Sequence, residues 1–357
     1  MNGITVLSLF DGMSCGRLAL ERAGIEVKEY YASEIDKHAI KVTMKNYPDT
    51  IQIGDVTKVN GHDLPKIDLL IGGSPCQGFS FAGKGLQFDD PRSKLFFEYA
   101  RIKEECRPAH YMLENVIMDK RSEDVISLSL GVRPIMINSA LVSAQNRERL
   151  YWCNFPVYMP NDKKIMLSDI ISNDAAIDRD KSHSINGSIG RTTEREYYKK
   201  NQGQLVYKNS AFGVHTVGTF SEKYINIMDK GYCLTSEIPV IVDTSLHGES
   251  LLRMYTDKSP TLKTGNFDSV LRLLIKNGAI NTKNIKEFTR KLTPIECERL
   301  QTVPDNYTDC VSNSQRYKML GNGWTVDVIA HIFKHLPYSK YGIENKHVSI
   351  FDYGGKK

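Results

Sequence analysis

The sequence predicts an α/β fold with a mostly parallel sheet, joined to a smaller domain of strands and loops. The first 155 residues alternate short apolar runs with helical patterns, which is typical of βαβ units. Residues 156–287 are instead rich in polar and turn-forming residues. Helical patterns return over 288–336. We therefore predict one domain formed by 1–155 and 288–336, a second formed by 156–287, and a tail over 337–357.

The elements of the first domain follow from its apolar runs and its helical periods. Thr293 and Glu296 have the spacing of a capping box, which predicts where one helix begins. A buried strand of a parallel sheet has a short apolar run, and such runs cover 4–9, 29–33, 51–53, 67–71 and 111–113. The predicted helices cover 17–23, 37–46, 93–106, 294–301 and 326–336.

The second domain is predicted from shorter strand-like pieces at 204–207, 240–243 and 270–275. Two of its segments, 230–235 and 258–264, resemble each other. The chain carries a net charge of +5, which is too small to imply nucleic-acid binding by itself. The surplus is nevertheless uneven, because residues 155–290 hold 19 Lys and Arg against 15 Asp and Glu.

Composition also argues against several classes of protein. There is no apolar run long enough to cross a membrane, and we expect no signal peptide. The seven cysteines lack the paired spacing of zinc sites or disulfides. Free thiols fit a reducing compartment. We expect a cytoplasmic monomer that binds no metal.

A tight turn after the predicted strand 67–71 carries a cysteine in a position suited to a nucleophile. Most free cysteines are small buried core residues, so a Pro-Cys pair alone favours a structural role. The complete run is Gly72-Gly73-Ser74-Pro75-Cys76-Gln77-Gly78-Phe79-Ser80. It resembles the nucleophile loop of the DNA cytosine-5 methyltransferases.

The resemblance extends along the chain in the order of that family's motifs. It covers roughly residues 3–155 and 288–336. The other motifs that carry it are Phe10-Asp11-Gly12-Met13-Ser14-Cys15-Gly16, Glu34, Gly54-Asp55-Val56, Glu114-Asn115-Val116, Gln145-Asn146-Arg147-Glu148-Arg149, Lys291-Leu292-Thr293-Pro294 with Glu296, Arg299, Leu300, Gln301 and Pro304, and Leu320-Gly321-Asn322-Gly323.

The resemblance implies a Rossmann-like S-adenosylmethionine-dependent methyltransferase domain and a target-recognition domain at 156–287. It also implies the catalytic residues. Cys76 attacks carbon 6 of a flipped cytosine, and a protonated Glu114 donates to ring nitrogen 3. Arg149 contacts the carbonyl oxygen of the base, while Arg147 orders the loop or contacts a phosphate. Residues 78–92 are expected to close over the base, and the predicted contacts of this DNA loop are Gln77, Ser80, Lys84, Arg92 and Gln145.

The implied cofactor is S-adenosylmethionine. A Gly-x-Gly-x-x-Gly pattern is absent from the first loop, which argues against a nicotinamide dinucleotide. Glu34 is expected to accept hydrogen bonds from the ribose hydroxyls, and Asp55 from the adenine amino group. The predicted cofactor-binding residues are Phe10, Asp11, Gly12, Gly16, Glu34, Ile35, Asp55, Val56, Pro75, Leu95 and Asn322.

The implied partner is double-stranded DNA, and a cognate restriction endonuclease is a candidate second partner. Residues 323–326 look like the animal de novo methyltransferases, whereas Gln77 and the loop 79–92 look like bacterial restriction-modification enzymes. We therefore expect a bacterial or phage-encoded enzyme. Two alternatives stay open, a tRNA cytosine-5 methyltransferase and a non-catalytic DNA-binding relative. The second alternative would require the loss of Cys76 or Glu114, and both are present.

Overall fold

The computed structural model describes residues 3–75, 94–172, 175–177, 179–194, 196, 204–208, 227–228, 232–233 and 289–339. The chain divides into two compact units. The first unit comprises residues 1–138, 148–161 and 323–357, and the second comprises 139–147 and 162–322. No helix in the described ranges is long and apolar enough to cross a membrane.

The elements alternate over the first half of the chain, as the sequence predicts. The described helices are α1 (Cys15–Arg22), α2 (Lys37–Asn46), α3 (Lys94–Cys106), α4 (Lys120–Leu130), α5 (Pro294–Leu300), α6 (Asn313–Asn322) and α7 (Val326–Phe333). The described strands are β1 (Ile4–Leu9), β2 (Val27–Ser33), β3 (Ile51–Gln52), β4 (Leu69–Gly73), β5 (His110–Val116), β6 (Pro134–Asn138), β7 (Glu148–Cys153), β8 (Ala175–Ala176), β9 (Leu205–Lys208), β10 (Ile227–Met228), β11 (Tyr232–Cys233) and β12 (Thr289–Lys291).

The first unit contains a seven-stranded sheet in the order β3-β2-β1-β4-β5-β7-β6. Strands β3, β2, β1, β4 and β5 pair in parallel, and β7 is antiparallel to both β5 and β6. Every residue of β1 is buried, which explains its unbroken apolar character at the centre of a sheet covered on both faces. The predicted α/β class with a mostly parallel sheet is confirmed.

Helices α2 and α4 begin where the sequence supplies capping side chains. Asp36 accepts a hydrogen bond from the backbone N–H of His38 at 2.9 Å, and Asp119 accepts one from Ser122 at 3.0 Å. Helix α4 ends at Gly131, whose φ of 75° is the left-handed conformation that glycine adopts easily. The predicted helix over 37–46 is found at those bounds.

The core of the first unit lies between the sheet and helices α3 and α4. It includes Leu7, Leu70, Phe96 and Trp152, each with no exposed surface. Burying a side chain of this size contributes roughly 1.5–3 kcal/mol. The indole N–H of Trp152 also donates to the hydroxyl of Ser127 at 2.9 Å, so its one polar group is satisfied. This packing gives the loops at the sheet edge a rigid base.

Two features of the sheet differ from the sequence prediction. Strand β5 continues through Val116, so Glu114 lies within the strand rather than after it. The sequence prediction includes neither β6 nor β7, and it takes residues 145–149 as a motif rather than as the approach to a strand. Strand β7 pairs with β5 on one side and with β6 on the other, and this pairing extends β5 and β7. Local apolar periodicity does not report such pairing between distant segments.

The second unit has its own sheet and helices. Strands β12, β9 and β8 form an antiparallel sheet in that order, and β10 pairs with β11. The capping box before α5 is confirmed, since Thr293 and Glu296 exchange hydrogen bonds of 3.2 and 2.7 Å. The predicted pieces 240–243, 258–264 and 270–275 lie outside the described residues, as does the predicted tail from 340 onward.

Candidate active site

The parallel strands of the first unit bring the ends of β1, β2 and β4 to one edge of the sheet, where ligands bind in folds of this kind. The segments that follow these strands begin at Phe10, Glu34 and Ser74. Hydrogen bonds join the segments to one another. The backbone N–H of Asp11 donates to Ser33 at 3.2 Å, and the Ser33 hydroxyl donates to the carbonyl of Gly54 at 2.7 Å.

The loop after β1 has an unusual backbone. Phe10, Gly12 and Ser14 have φ values of 58°, 62° and 59°. The left-handed region costs a residue other than glycine roughly 1–2 kcal/mol. No atom lies within 4 Å of the position that a Cβ on Gly12 would occupy, so the loop borders open space there. At Gly16 a Cβ would instead collide with Ile71, which explains the glycine at the start of α1.

Glu34 holds this loop in place. Its Oε2 accepts the backbone N–H of Gly12 at 2.8 Å, and its Oε1 accepts those of Ile35 and Asp36, also at 2.8 Å. An ionised carboxylate offers about four acceptor positions. These bonds use three of them, which leaves one on Oε2 for a ligand hydroxyl.

The next two connections contribute three further residues. Ile35 follows β2, and Asp55 and Val56 follow β3. Asp55 Oδ1 accepts the backbone N–H and the hydroxyl of Thr57 at 3.0 and 2.9 Å, and these bonds hold the pKa of Asp55 below its usual value. Asp55 Oδ2 has no hydrogen-bond partner among the described residues. Val56 is buried, but Ile35 is 75% exposed, which is high for a large apolar side chain.

Asp11 is a carboxyl in an unusual environment. It accepts hydrogen bonds from the hydroxyls of Ser14 and Tyr30, the second at 2.8 Å. Burial raises the pKa of Asp11 from 3.8 to about 6, although the hydrogen bonds oppose that change, and the negative charge of Glu34 adds to it. The carboxyl therefore titrates near neutral pH.

We predict that Asp11→Asn stabilises the protein more at pH 7 than at pH 4. A raised pKa means that protonation favours the folded state below pH 3.8, and that this contribution is lost as the pH rises through about 6. Asparagine resembles the protonated form, so the gain should reach about 3 kcal/mol at pH 7. Thermal unfolding across this range measures it. Asp55→Asn is the matched control, with an effect of opposite sign because the pKa of Asp55 is lowered. A gain independent of pH would contradict the prediction.

Near the carboxyl end of β5, Glu114 lies between an indole and a guanidinium. The indole Nε1–H of Trp324 donates to Oε2 at 3.0 Å, and Arg149 Nε lies 3.1 Å from Oε1. Glu114 is buried, and Arg149 is held further by a bond from its guanidinium to the carbonyl of Glu148. The sequence prediction brought Glu114 and Arg149 together but did not include Trp324, which is 210 positions from Glu114.

The start of the predicted nucleophile loop is anchored to β5. Asn115, which is buried, donates to the hydroxyl of Ser74 at 3.1 Å. Pro75 follows and is exposed. Leu95, on α3, packs against the core of the first unit. The predicted residues Cys76, Gln77, Ser80, Lys84 and Arg92 lie outside the described residues.

Three predicted site residues belong to the second unit. The amide of Gln145 donates to Leu300 at 2.9 Å and accepts from Ile185 at 3.2 Å. The guanidinium of Arg147 donates to the carbonyls of Ile185 and Gly321 at 2.8 and 3.3 Å. Both side chains are buried and tie segments of this unit together. Asn322, at the end of α6, is exposed.

Comparison with known proteins finds solved structures with a similar fold. The Entamoeba histolytica methyltransferase EhMeth has a similar structure, with a TM-score of 0.61 over 94% of this chain and 98% of that one. Its sequence identity of 16% means that it shows the fold alone.

Sequence relatives are closer. Type II methyltransferase M1.ScrFI of Lactococcus lactis subsp. cremoris is 32% identical over 348 residues, which cover 91% of this chain and 75% of that protein. Type II methyltransferase M.HhaI of Haemophilus parahaemolyticus is 27% identical over 352 residues, which cover 93% and 94%. The model of the C-5 cytosine-specific DNA methylases matches residues 4–337. The chain therefore belongs to the family of C-5 cytosine-specific DNA methylases.

Proposed function

We propose that this chain transfers a methyl group from S-adenosylmethionine to carbon 5 of a cytosine flipped out of duplex DNA, at a specific sequence. The observation that carries the proposal is the position of Glu114. It is buried at the sheet edge between Arg149 and Trp324, and its neighbour Asn115 anchors the segment that leads into Pro75-Cys76. Family membership supplies the reaction class.

The residues at the ends of β1, β2 and β3 fit the adenosine part of S-adenosylmethionine. Glu34 has one acceptor position left for a ribose hydroxyl, and Asp55 Oδ2 is available to an amino group. Exposed Ile35 offers an apolar surface to a flat ring. Gly12 and Gly54 leave open space where a Cβ would stand. When bound, the cofactor supplies an electrophilic methyl group.

In this proposal the reaction on the base depends on Cys76, Glu114 and Arg149. The Cys76 thiolate adds to carbon 6, and the Sγ–C6 bond forms while electrons of the C5–C6 double bond move toward ring nitrogen 3. Glu114 delivers a proton to that nitrogen, and Arg149 donates to the carbonyl oxygen of the base. Carbon 5 receives the methyl group of the bound cofactor, which is released as a neutral thioether. Carbon 5 then loses its proton to solvent, the Sγ–C6 bond breaks to restore the thiolate, and ring nitrogen 3 returns its proton to Glu114.

Access to the cytosine requires flipping, at a cost of a few kcal/mol. Residues 78–92 would close over the flipped base, with Lys84 and Arg92 near the DNA backbone. Phosphate contacts supply most of the affinity, and groove contacts supply specificity. We assign the groove contacts to residues 156–287, the segment with the basic surplus. An enzyme of this kind works in the compartment that holds the DNA, which in a bacterium is the cytoplasm.

The proposal is tested by tritium transfer from labelled S-adenosylmethionine to duplex DNA and, in parallel, to tRNA. We expect label in DNA alone. Bisulfite sequencing of DNA from cells expressing the chain should then show modified cytosines within one recurring sequence. Label in tRNA alone would overturn the assignment of substrate. Absence of label in both would favour a non-catalytic relative.

We predict that Glu34→Ala and Asp55→Ala each weaken S-adenosylmethionine binding by roughly 1–3 kcal/mol, the cost of leaving polar groups unpaired. Glu34→Ala should have the larger effect, because it also frees the N–H of Gly12. Isothermal calorimetry measures both affinities. Asp63→Ala is a matched control, since Asp63 is an exposed carboxylate in the segment that follows Asp55. Wild-type affinity in both variants would refute the cofactor site.

A further inference from the structure

Trp324 lies against Gly73 and Gly16 of the first unit, and its side chain reaches Glu114. A Cβ on Gly73 would lie 2.9 Å from both Trp324 Nε1 and Glu114 Oε2. A Cβ on Gly16 would lie 3.4 Å from Trp324 Cζ3. The missing side chain at Gly73 therefore makes room for the indole, while the distance at Gly16 is that of an ordinary van der Waals contact. The indole N–H then meets the carboxylate at 3.0 Å.

The hydrogen-bond partners of Glu114 restrict where it can carry a proton. An indole N–H and a guanidinium are both donors only. Oε2 of Glu114 accepts the indole N–H, and Oε1 forms an ion pair with the guanidinium of Arg149. A Glu114 that donates to cytosine must carry a hydrogen on one oxygen, and Oε1 is the oxygen that can carry it while Oε2 keeps the bond from the indole.

The two donors differ in how they are held. Trp324 is packed against the backbone at Gly73, whereas Arg149 is a long side chain near the start of β7 that makes one further bond, to the carbonyl of Glu148. In the proposed reaction Arg149 turns to the carbonyl oxygen of the base. Its departure frees Oε1, while the indole stays on Oε2.

We propose that Trp324 is a positioning residue for this reaction, which holds Glu114 Oε2 so that the transferred proton sits on Oε1. The inference rests on the proposed function. Solvent supplies the proton to Oε1 when Arg149 turns away, and ring nitrogen 3 receives it.

The test is the pH profile of kcat for Trp324→Phe, which keeps an aromatic ring and removes only the N–H donor. Losing this donor disfavours the charged form of Glu114. The alkaline limb of the profile should therefore move to higher pH by roughly one unit, about tenfold in the protonation equilibrium. The maximal kcat should fall several-fold, while the Kd for S-adenosylmethionine should change less than about twofold.

Trp152→Phe is the matched control, because it removes the only other tryptophan and breaks an indole bond to Ser127 in the same unit. It should lower the melting temperature and leave the alkaline limb in place. If Trp324→Phe does not fold, Trp324 is replaced by benzothienylalanine, a tryptophan analogue in which sulfur takes the place of the N–H. The replacement is made in the Trp152→Phe variant, so that only position 324 carries the analogue.

The outcomes separate this inference from the proposed function. A wild-type enzyme without methyl transfer to DNA overturns both. An active wild type with an alkaline limb that Glu114→Gln removes, but that Trp324→Phe leaves unmoved, overturns the role of Trp324 alone. A weaker cofactor affinity with an unmoved limb also overturns it, since the indole would then serve the cofactor. A moved limb with retained cofactor affinity supports it.

Discussion

Replacing Cys76 with serine should abolish methyl transfer and leave DNA binding almost unchanged. A serine hydroxyl is scarcely ionised at neutral pH, so it cannot replace a thiolate as the nucleophile. We expect turnover to fall by on the order of 10³-fold or more. Affinity for DNA comes largely from phosphate contacts, which this change does not touch. Tritium transfer and a DNA-binding titration measure the two effects separately.

Other cysteines serve as controls for this prediction. Burial raises the pKa of the Cys106 thiol to about 11, so that group is not a thiolate at neutral pH. Cys106→Ser should therefore retain activity. We expect the same of Cys15, Cys153, Cys233, Cys297 and Cys310, apart from losses of packing. Retained turnover in Cys76→Ser would remove the nucleophile from the proposed reaction.

Glu114→Gln should lower kcat by roughly 10²–10⁴-fold, the usual contribution of a positioned general acid. Glutamine keeps the size of the side chain but has no acidic proton for ring nitrogen 3. Its amide nitrogen would also face a group that cannot accept, since the carboxylate meets the indole N–H of Trp324 on one side and the guanidinium of Arg149 on the other. Single-turnover kinetics at saturating DNA and S-adenosylmethionine isolate the effect on the chemical step.

Glu148→Gln is the matched control, because Glu148 is exposed and adjacent to Arg149 on β7. It should keep the wild-type rate within about twofold. A Glu114→Gln variant with the wild-type rate would mean that ring nitrogen 3 receives its proton elsewhere. A rate loss shared equally by both variants would indicate disturbance of β5 and β7 rather than loss of an acid.

Much of the fold follows from local sequence signals. The apolar run at 4–9 predicts β1 at its observed bounds, and the box formed by Thr293 and Glu296 predicts the start of α5. These signals are local, because strand periodicity and helix capping involve residues only a few positions apart. The order of β7 and β6 in the sheet depends on long-range pairing, and apolar periodicity does not report it.

The candidate site likewise has parts that local sequence signals predict and parts that depend on contacts between distant residues. The segments after β1, β2 and β4 are predictable, because parallel strands expose their ends at one edge of the sheet. The contact between Trp324 and Glu114 depends on tertiary packing across 210 positions, so no local pattern encodes it. The three backbone bonds to Glu34 are likewise visible only once the loop conformation is known.

The most direct test of the proposed mechanism is to trap the covalent intermediate on duplex DNA that contains 5-fluorocytosine at the target position. Fluorine cannot leave carbon 5 as a cation, so the Sγ–C6 bond cannot be broken after methylation. With S-adenosylmethionine present, we predict a complex that survives denaturation, and peptide mass spectrometry should place the attachment on Cys76. An adduct on another cysteine, or no adduct from an enzyme that methylates unmodified DNA, would contradict the mechanism.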